Sequence, residues 1–313
     1  MEEPSTTSAS SAASEKHHHD GSTAGGSNGK TAQCSVVSIY QTKIADVPRN
    51  VTVTWSKNLI NHSLAVTVEK PGADGPPFTC KVDLKPWPFW SKKGLKSFEV
   101  DSHRVDLFWD LRSAKYSTGP EPLGGYYVAL VCNEEVILLI GDSKKEAYKR
   151  TKSRPSLEDA ALITKKENVF GKKSFTSRAR FDERKKEHDI VVENSISGPK
   201  EPEMWISVDG VRLIHVNNLQ WKFRGNETVL IEDLPVQIFW DVHSWLFGTP
   251  GVGHALFIFK PGAPPKLEER NDNGSNEGSN HSQREEDQSL AVQSNNSAVV
   301  PEFCFFLYAW KIE

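Results

Sequence analysis

The chain alternates apolar and polar residues over many short stretches. Val51, Val53 and Trp55 are separated by polar residues, and the same spacing of two recurs at 64–68, 105–111 and 236–242. Because successive side chains of a β-strand point to opposite faces, this period is typical of strands with one buried face. Gly and Pro residues separate the stretches, as turns between short strands require. The pattern predicts a mainly β protein.

One of these stretches occurs twice. Residues 90–113 align without a gap with residues 221–244, and seven of the 24 positions are identical. The matched pairs include Trp90 with Trp221, Gly94 with Gly225, and Trp109 with Trp240. Since tryptophan is rare, we interpret the match as an internal duplication. The fold class that we predict is therefore a tandem pair of antiparallel β-sandwich or barrel units joined by a short helix.

Composition divides the chain further. Two segments are rich in Ser, Asn, Gly and other polar residues and poor in apolar ones, so they cannot form a packed core. The predicted segments are a disordered tail at 1–33, a first β unit at 34–142, a connector with a short helix at 143–170, a second β unit at 171–262 plus 301–313, and a disordered insert at 263–300. We expect the connecting helix itself at 143–151.

The stretch 303–312 is almost wholly apolar, and it follows the predicted insert. A run of this length without alternation predicts a strand that is covered on both faces. The chain therefore has to return from the insert to complete the second unit with this strand.

Charge and cysteine usage limit the functional classes. The net charge of -3 argues against a chain that binds polyanions through its overall charge. The four cysteines are widely separated and form no CxxC motif, which fits a reducing compartment and suggests no metal site. The chain has no N-terminal apolar segment and no run of 18 apolar residues. We therefore expect a protein of the cytoplasm or nucleus that is not secreted and has no transmembrane segment.

Several long motifs, rich in Trp and Gly, carry a resemblance to a known family. They are VTVTWSKNL at 51–59, PLGGYYV at 122–128, NVFGK at 168–172, LQWKFRGNET at 219–228 and FFLYAWK at 305–311. With these motifs the chain resembles the plant family catalogued as domain of unknown function 868 (DUF868). The resemblance covers nearly everything from Cys34 onward apart from the insert. It implies a land-plant origin, and it brings no assigned activity and no catalytic residues.

One polar cluster has the residue types of a metal or acid–base site. Asp241 and His243 are two residues apart in a predicted strand and so share a face, and His254 begins a stretch that is expected to form the neighbouring strand. The matching positions of the first unit are Asp110, Arg112 and Tyr126, which cannot bind a metal in the same way. An Asp–Arg salt bridge at a strand end is the structural interpretation of that first copy. The comparison predicts no metal, no cofactor and no catalytic residue.

Basic residues are concentrated between 144 and 186. A solvated surface is the common outcome for such stretches. The alternative interpretation is a patch for an anionic partner that consists of Lys144, Lys145, Lys149, Arg150, Lys172, Lys173, Arg178 and Arg180. Aromatic residues are sparse in these stretches, so base stacking there has little support.

The functional hypothesis is a non-enzymatic protein that acts by binding a protein or another macromolecule. We expect a protein partner, with RNA or an anionic surface as the alternative through 144–186. A second hypothesis, from another class, is a barrel that holds a small apolar metabolite as a carrier or as an isomerase-type enzyme. Tryptophans that fill the space between two sheets would favour the first hypothesis, whereas tryptophans that line a cavity would favour the second.

Overall fold

In the residues that the computed structural model describes, the chain forms twenty strands. The structure describes residues 34–59, 61–69, 77–84, 92–182, 184–196, 201–249, 252–262 and 303–312. These residues all lie within one compact unit, Ala32–Glu313. The segments predicted to be disordered, 1–33 and 263–300, lie outside the described residues.

The largest element is a sheet of nine strands that extends across both predicted units. Its strands are, in spatial order, β17 (Arg224–Ile231), β18 (Leu234–Asp241), β19 (His254–Pro261), β20 (Cys304–Lys311), β12 (Ala161–Gly171), β1 (Cys34–Ile44), β2 (Val47–Lys57), β3 (His62–Val68) and β4 (Phe78–Leu84). All neighbours are antiparallel except β12 and β20, which are parallel.

Two smaller sheets complete the described fold, together with one short strand pair. The five-stranded sheet has the order β11 (Arg154–Pro155), β10 (Glu135–Ile140), β9 (Tyr127–Cys132), β6 (His103–Asp110) and β5 (Lys93–Val100). The four-stranded sheet has the order β13 (Ser174–Ala179), β14 (His188–Ser195), β15 (Glu203–Val208) and β16 (Val211–Val216). The short pair is β7 (Lys115–Tyr116) with β8 (Pro122–Gly124).

Two helices connect strands. The helix predicted at 143–151 is present as α1 (Lys144–Thr151), and a second one, α2 (His243–Phe247), follows β18. Neither helix in the described ranges has the length and apolar character that crossing a bilayer requires.

Each end of the nine-stranded sheet has its own hydrophobic core. The first core lies against the five-stranded sheet and contains Val53 and Trp55 of β2 together with Leu107 of β6. The second core joins the four-stranded sheet to β18, β19 and β20, for example through Ile206 and Phe257. Burial of alternate residues along each strand excludes apolar surface from water and holds the layers together.

Strand β12 connects the two halves. It pairs with β1 on one side and with β20 on the other. It occupies much of the segment that the sequence predicted as a connector with a helix. The structure therefore places a sheet strand, in addition to α1, between the two predicted units.

The residues matched by the sequence repeat have the same geometry in both halves. Gly94 lies opposite Trp109 in the β5–β6 pair, and Gly225 lies opposite Trp240 in the β17–β18 pair. A Cβ atom on Gly94 would come within 2.3 Å of Trp109 Cζ2, and one on Gly225 would come within 2.4 Å of Trp240 Cζ2. Each glycine is required because the indole of the partner strand covers its Cα.

The strand predicted near the end of the chain is confirmed as β20, but the prediction that both of its faces are covered is not. Phe305, Leu307 and Ala309 are fully buried against the second core. Tyr308 and Trp310 point to the opposite face of the sheet and stay half-buried. The expectation that both faces of this strand are covered is wrong for the described structure, since the second layer of strands lies on one side only.

Candidate functional site

A cleft of about 860 Å³ lies at the junction of the two halves. Its floor is formed by β1 and β12, the central strands of the large sheet. One wall contains the end of β10 and residues 117–123, and the other contains residues of β13 and β14. The cleft therefore occupies the gap between the two smaller sheets.

The floor of the cleft carries charged residues, whereas the rest of the sheet interior is mostly apolar. Ser38 of β1 pairs in register with Lys165 of β12, and Glu167 is the next inward-facing residue of β12. Ser38, Lys165 and Glu167 are all buried, with 4%, 7% and 8% of their surface exposed. Buried charges are costly unless they are paired, so their position between two apolar cores is a specific feature of this fold.

Lys165 is held from both walls. Its Nζ donates a hydrogen bond to the Arg178 carbonyl oxygen at 2.8 Å and lies 3.4 Å from Glu121 Oε2. Burial acts to lower the pKa of Lys165, but the carboxylates of Glu121, Glu167 and Glu187 outweigh it and raise that pKa above its ordinary value. The ammonium group therefore stays charged in the floor of the cleft.

For Glu167, the effect of burial on the pKa outweighs the effect of the neighbouring positive charge. The hydroxyl of Ser177 donates a hydrogen bond to its carboxylate. Burial raises the pKa of Glu167 above its ordinary value, and the positive charge of Lys165 offsets only part of this effect. The floor thus combines a stable cation with a carboxyl that is easier to protonate than a free glutamate.

The raised pKa of Glu167 predicts a pH dependence of stability. A carboxyl with a higher pKa in the folded state stabilises the fold most below its unfolded pKa, and this contribution decreases as the pH rises through the folded pKa. The unfolding free energy of the wild type, minus that of Glu167→Gln, should therefore fall in urea titrations as the pH rises above 4.5, the ordinary pKa of a glutamate. Glu227→Gln, on exposed β17, is the control and should follow the wild type. A constant difference between wild type and Glu167→Gln would contradict the prediction.

Two tyrosines border the same cleft. Burial raises the pKa of Tyr40 and of Tyr126 well above that of a free phenol, so both stay protonated and can donate hydrogen bonds. The ring of Tyr126 packs edge-on against Trp55 with centroids 5.7 Å apart. Its backbone N–H, like that of Gly125, donates to the Asp142 carboxylate, which fixes the turn that begins the wall.

Two cations at the cleft have no ion-pair partner among the described residues: Lys144, at the start of α1, and Arg180, after β13. Both are exposed. Arg178, between them and the floor, is instead paired with Glu187 at 3.1 Å and with Asp189 at 3.0 Å. Lys144 and Arg180 therefore bring positive charge to the rim, where the carboxylate of Asp142 also lines the cleft and accepts hydrogen bonds from backbone N–H groups.

The profile of a plant family described as protein of unknown function, DUF868, matches residues 31–311. The chain belongs to the DUF868 family. The match includes the motifs on which the resemblance was based. No curated protein and no solved structure matches the chain. The chemistry of the DUF868 cleft therefore has to be inferred from its own residues.

The predicted basic patch of the DUF868 chain is spread over separate places. Lys144, Lys145, Lys149 and Arg150 lie on α1. Arg178 and Arg180 lie at the cleft, whereas Lys172 and Lys173 form the turn between β12 and β13. That turn is about 17 Å from Arg178 along an extended strand. Only Lys144, Arg178 and Arg180 of this set meet at the cleft.

The predicted Asp–His–His cluster has a different geometry from the expected one. Strand β18 ends at Asp241, and His243 begins α2, so the two residues do not share a strand face. Asp241 Oδ2 accepts a hydrogen bond from Arg224 Nε at 2.8 Å, and Oδ1 accepts from the backbone N–H of His243 at 3.0 Å. The ring of His254 lies 4.6 Å from that of Trp310, and burial lowers the pKa of His254.

The first copy has the expected Asp–Arg contact. Arg112 donates two hydrogen bonds to Asp110, from Nε at 3.0 Å and from Nη2 at 2.7 Å. Asp110 and Asp241 therefore each accept from an arginine side chain and from the backbone N–H two residues later. Within the described ranges, no three His, Cys, Asp or Glu side chains are grouped so that they could hold a metal ion.

Sequence reasoning missed the floor of the cleft. The sequence places Lys165 only within the basic segment 144–186, and it does not single out Glu167. The sequence does contain a signal for this site. Lys165 and Glu167 lie at the same alternating positions of β12 as buried Val169, whereas Lys166 lies on the opposite face of the strand. Charged residues at the inward-facing positions of a strand indicate a buried polar site.

Proposed function

We propose that this DUF868 protein acts by binding a small organic anion in the cleft at the junction of its two halves. The observation that carries the proposal is the buried Lys165–Glu167 floor beneath a space of about 860 Å³. Ligand sites typically have volumes of about 300–1,000 Å³ and combine apolar walls with a few placed polar groups. The cleft has both properties.

The chemistry of the lining favours an amphipathic anion. Leu139 and Ile140 of β10, Leu162 of β12 and Phe303 supply apolar contacts. Lys144 and Arg180 supply positive charge at the rim. A carboxylate, sulfonate or phosphate at the rim, joined to an aromatic or aliphatic group inside the cleft, would satisfy both surfaces.

The tryptophans support a site outside the two cores. Trp109 and Trp240 are buried in the cores, with 9% of their surface exposed, whereas Trp221 is 82% exposed. Trp90 lies outside the described residues. None of the seven described tryptophans lines the cleft, although Tyr40 and Tyr126 do, so we prefer this ligand to the apolar metabolite in a Trp- and Tyr-lined barrel that the sequence suggested. We also prefer a small polar ligand to the macromolecular partner that the sequence suggested.

Two further expectations belong to this proposal. The equal glycine–tryptophan packing of the two halves supports an origin by internal duplication. None of the four cysteines, all of which are described, forms a disulfide bond, which supports a reducing compartment such as the cytoplasm or nucleus.

The probe 1-anilinonaphthalene-8-sulfonate tests the proposal, because it is an amphipathic anion that fluoresces when it leaves water. We expect saturable binding to the native protein with one strong site. Thr176→Trp places a large side chain in the cleft from β13 and should abolish that site. Lys144→Gln and Arg180→Gln should each weaken binding by up to about fivefold, since each removes one exposed charge.

Matched controls lie beside Thr176 and Lys144. Ser174→Trp changes an exposed residue of the same face of β13 outside the cleft, and Lys145→Gln changes the next residue of α1. Both should bind the probe as the wild type does. Undiminished strong binding by Thr176→Trp would show that the site lies elsewhere and would contradict the proposal.

A further inference from the structure

The described residues that line the cleft include five acidic side chains. They are Glu121, Asp142, Glu167, Glu187 and Asp189. Glu121 forms a salt bridge with Lys165, whereas Glu187 and Asp189 each form one with Arg178. These three carboxylates are also in contact with water, since between 31% and 70% of each side chain is exposed. Pairing and hydration therefore stabilise their negative charge.

Glu167 has less compensation for its charge. It lines the floor of the cleft, and only 8% of it is exposed. Its carboxylate accepts a hydrogen bond from the Ser177 hydroxyl. The ammonium group of Lys165 is shared, because its Nζ also contacts Glu121 and the Arg178 carbonyl oxygen. Burial therefore outweighs the attraction to Lys165, and the carboxyl of Glu167 takes up a proton more readily than that of a free glutamate.

Other titratable or charged groups surround Glu167. They are Lys165 on its own strand, Cys34 and Tyr40 on β1, Arg178 on β13, Glu121 on the wall 117–123 and Glu187 before β14, whereas β20 contributes the apolar Phe305 and Leu307. Burial raises the pKa of Cys34 and of Tyr40, so both keep their protons near neutral pH. No histidine is found among the described residues that line the cleft. A change of charge in the cleft near neutral pH therefore falls to Glu167.

A ligand in the cleft would change the surroundings of Glu167 in two ways. Its apolar group would displace water from the floor, and its acidic group would bring a negative charge to the rim near Lys144 and Arg180. Both changes make an ionised carboxylate in the floor less favourable. The protonated acid avoids both effects, and its O–H can donate a hydrogen bond to Ser177 Oγ or to the ligand.

We propose that an anionic ligand enters the cleft together with one proton, which binds to Glu167. The coupling rests on the proposed function, because it needs a ligand in the same cleft. It makes affinity depend on pH. The protein should bind most tightly at low pH, where Glu167 is already protonated, and affinity should decrease as the pH rises above the pKa of Glu167 in the free protein. For one proton the decrease is at most about tenfold per pH unit.

Isothermal titration calorimetry of the full-length protein with 1-anilinonaphthalene-8-sulfonate measures the proton directly. The sulfonate of this probe stays ionised near neutral pH, so it contributes no proton of its own. Titrations at the same pH in Tris and in bis-tris buffer, whose ionisation enthalpies differ, should give different binding enthalpies if protons are exchanged. We expect uptake that approaches one proton per bound probe, together with weaker binding at higher pH. The wild type alone is sufficient for this measurement.

Two variants assign the proton. Glu167→Gln replaces the carboxyl with a neutral amide of similar shape, and it should bind the probe without proton uptake and with nearly constant affinity between about pH 5 and pH 8. Asp189→Asn also removes a carboxylate from the cleft, but one that is exposed and paired with Arg178. This control should keep both the proton uptake and the pH dependence. Binding that persists in Thr176→Trp lies outside the cleft and is subtracted.

The possible results separate the coupling from the proposed function. Wild-type binding in the cleft with no proton uptake, and with the same affinity at each pH, would overturn the coupling and leave the small-anion site intact. Equal proton uptake by the wild type and Glu167→Gln would overturn the role of Glu167. If the wild type shows no saturable binding that Thr176→Trp removes, the small-anion site itself is wrong, and the coupling with it.

Discussion

A chain that ends at Gly262 is expected to lose its cooperative fold. Truncation there removes β20, which lies between β19 and β12 in the middle of the nine-stranded sheet. It removes Phe305, Leu307 and Ala309 from the second core and breaks the backbone pairing with both neighbouring strands. Loss of a single large buried side chain costs about 3–5 kcal/mol, and a domain is stable by only about 5–15 kcal/mol. The truncated chain should show no cooperative urea transition.

A matched deletion separates the role of β20 from that of chain length. Strands β19 and β20 are antiparallel, and Phe259 pairs with Phe305, so Gly262 and Phe303 lie close together at one end of this pair. Replacing residues 263–302 with a short Asn-Gly turn keeps β20 and should preserve a cooperative transition, since this turn favours a hairpin. Well-dispersed NMR signals from the chain ending at Gly262 would contradict the proposed architecture.

Removal of the buried cation is expected to destabilise the protein by about 3 kcal/mol, because a buried charge is left without its partner. In Lys165→Met, Glu167 loses the positive charge that lowers its pKa, and the Arg178 carbonyl oxygen loses its hydrogen bond. The free energy of unfolding, measured in urea at pH 7, gives the size of this effect.

Two further variants show whether the effect arises from the pair. Lys166→Met changes the adjacent, outward-facing lysine and should alter stability by no more than about 0.5 kcal/mol. Adding Glu167→Gln to Lys165→Met should recover part of the loss, since no uncompensated charge then remains in the floor. A loss of less than 0.5 kcal/mol in Lys165→Met would mean that the pair is solvated and that the floor is not a buried site.

Local pattern predicts several of the strands, namely those at 51–55, 64–68, 105–111 and 236–242. Val51, Val53 and Trp55 occupy buried positions of β2 as their spacing of two requires. The match between Trp109 and Trp240 predicted two strands that prove to have the same glycine packing. These predictions succeed because alternation and tight packing depend on residues that are close in sequence or directly paired.

The site could not be predicted in the same way, because it depends on contacts between distant segments. Lys165 becomes a floor residue only because β12 pairs with β1 and because the wall formed by Arg178 and Glu121 folds over it. No pattern within 161–171 specifies these neighbours. The expectation that Asp241 and His243 share a strand face was wrong because alternation does not show where a strand ends and a helix begins.

The most direct measurement of the cleft's function is native mass spectrometry of the full-length protein isolated from plant tissue. We predict that one small organic anion accompanies each wild-type chain, is retained by Ser174→Trp and is absent from Thr176→Trp. A wild-type protein that carries no small molecule, or an identical bound mass in Thr176→Trp, would contradict a ligand site between the two halves.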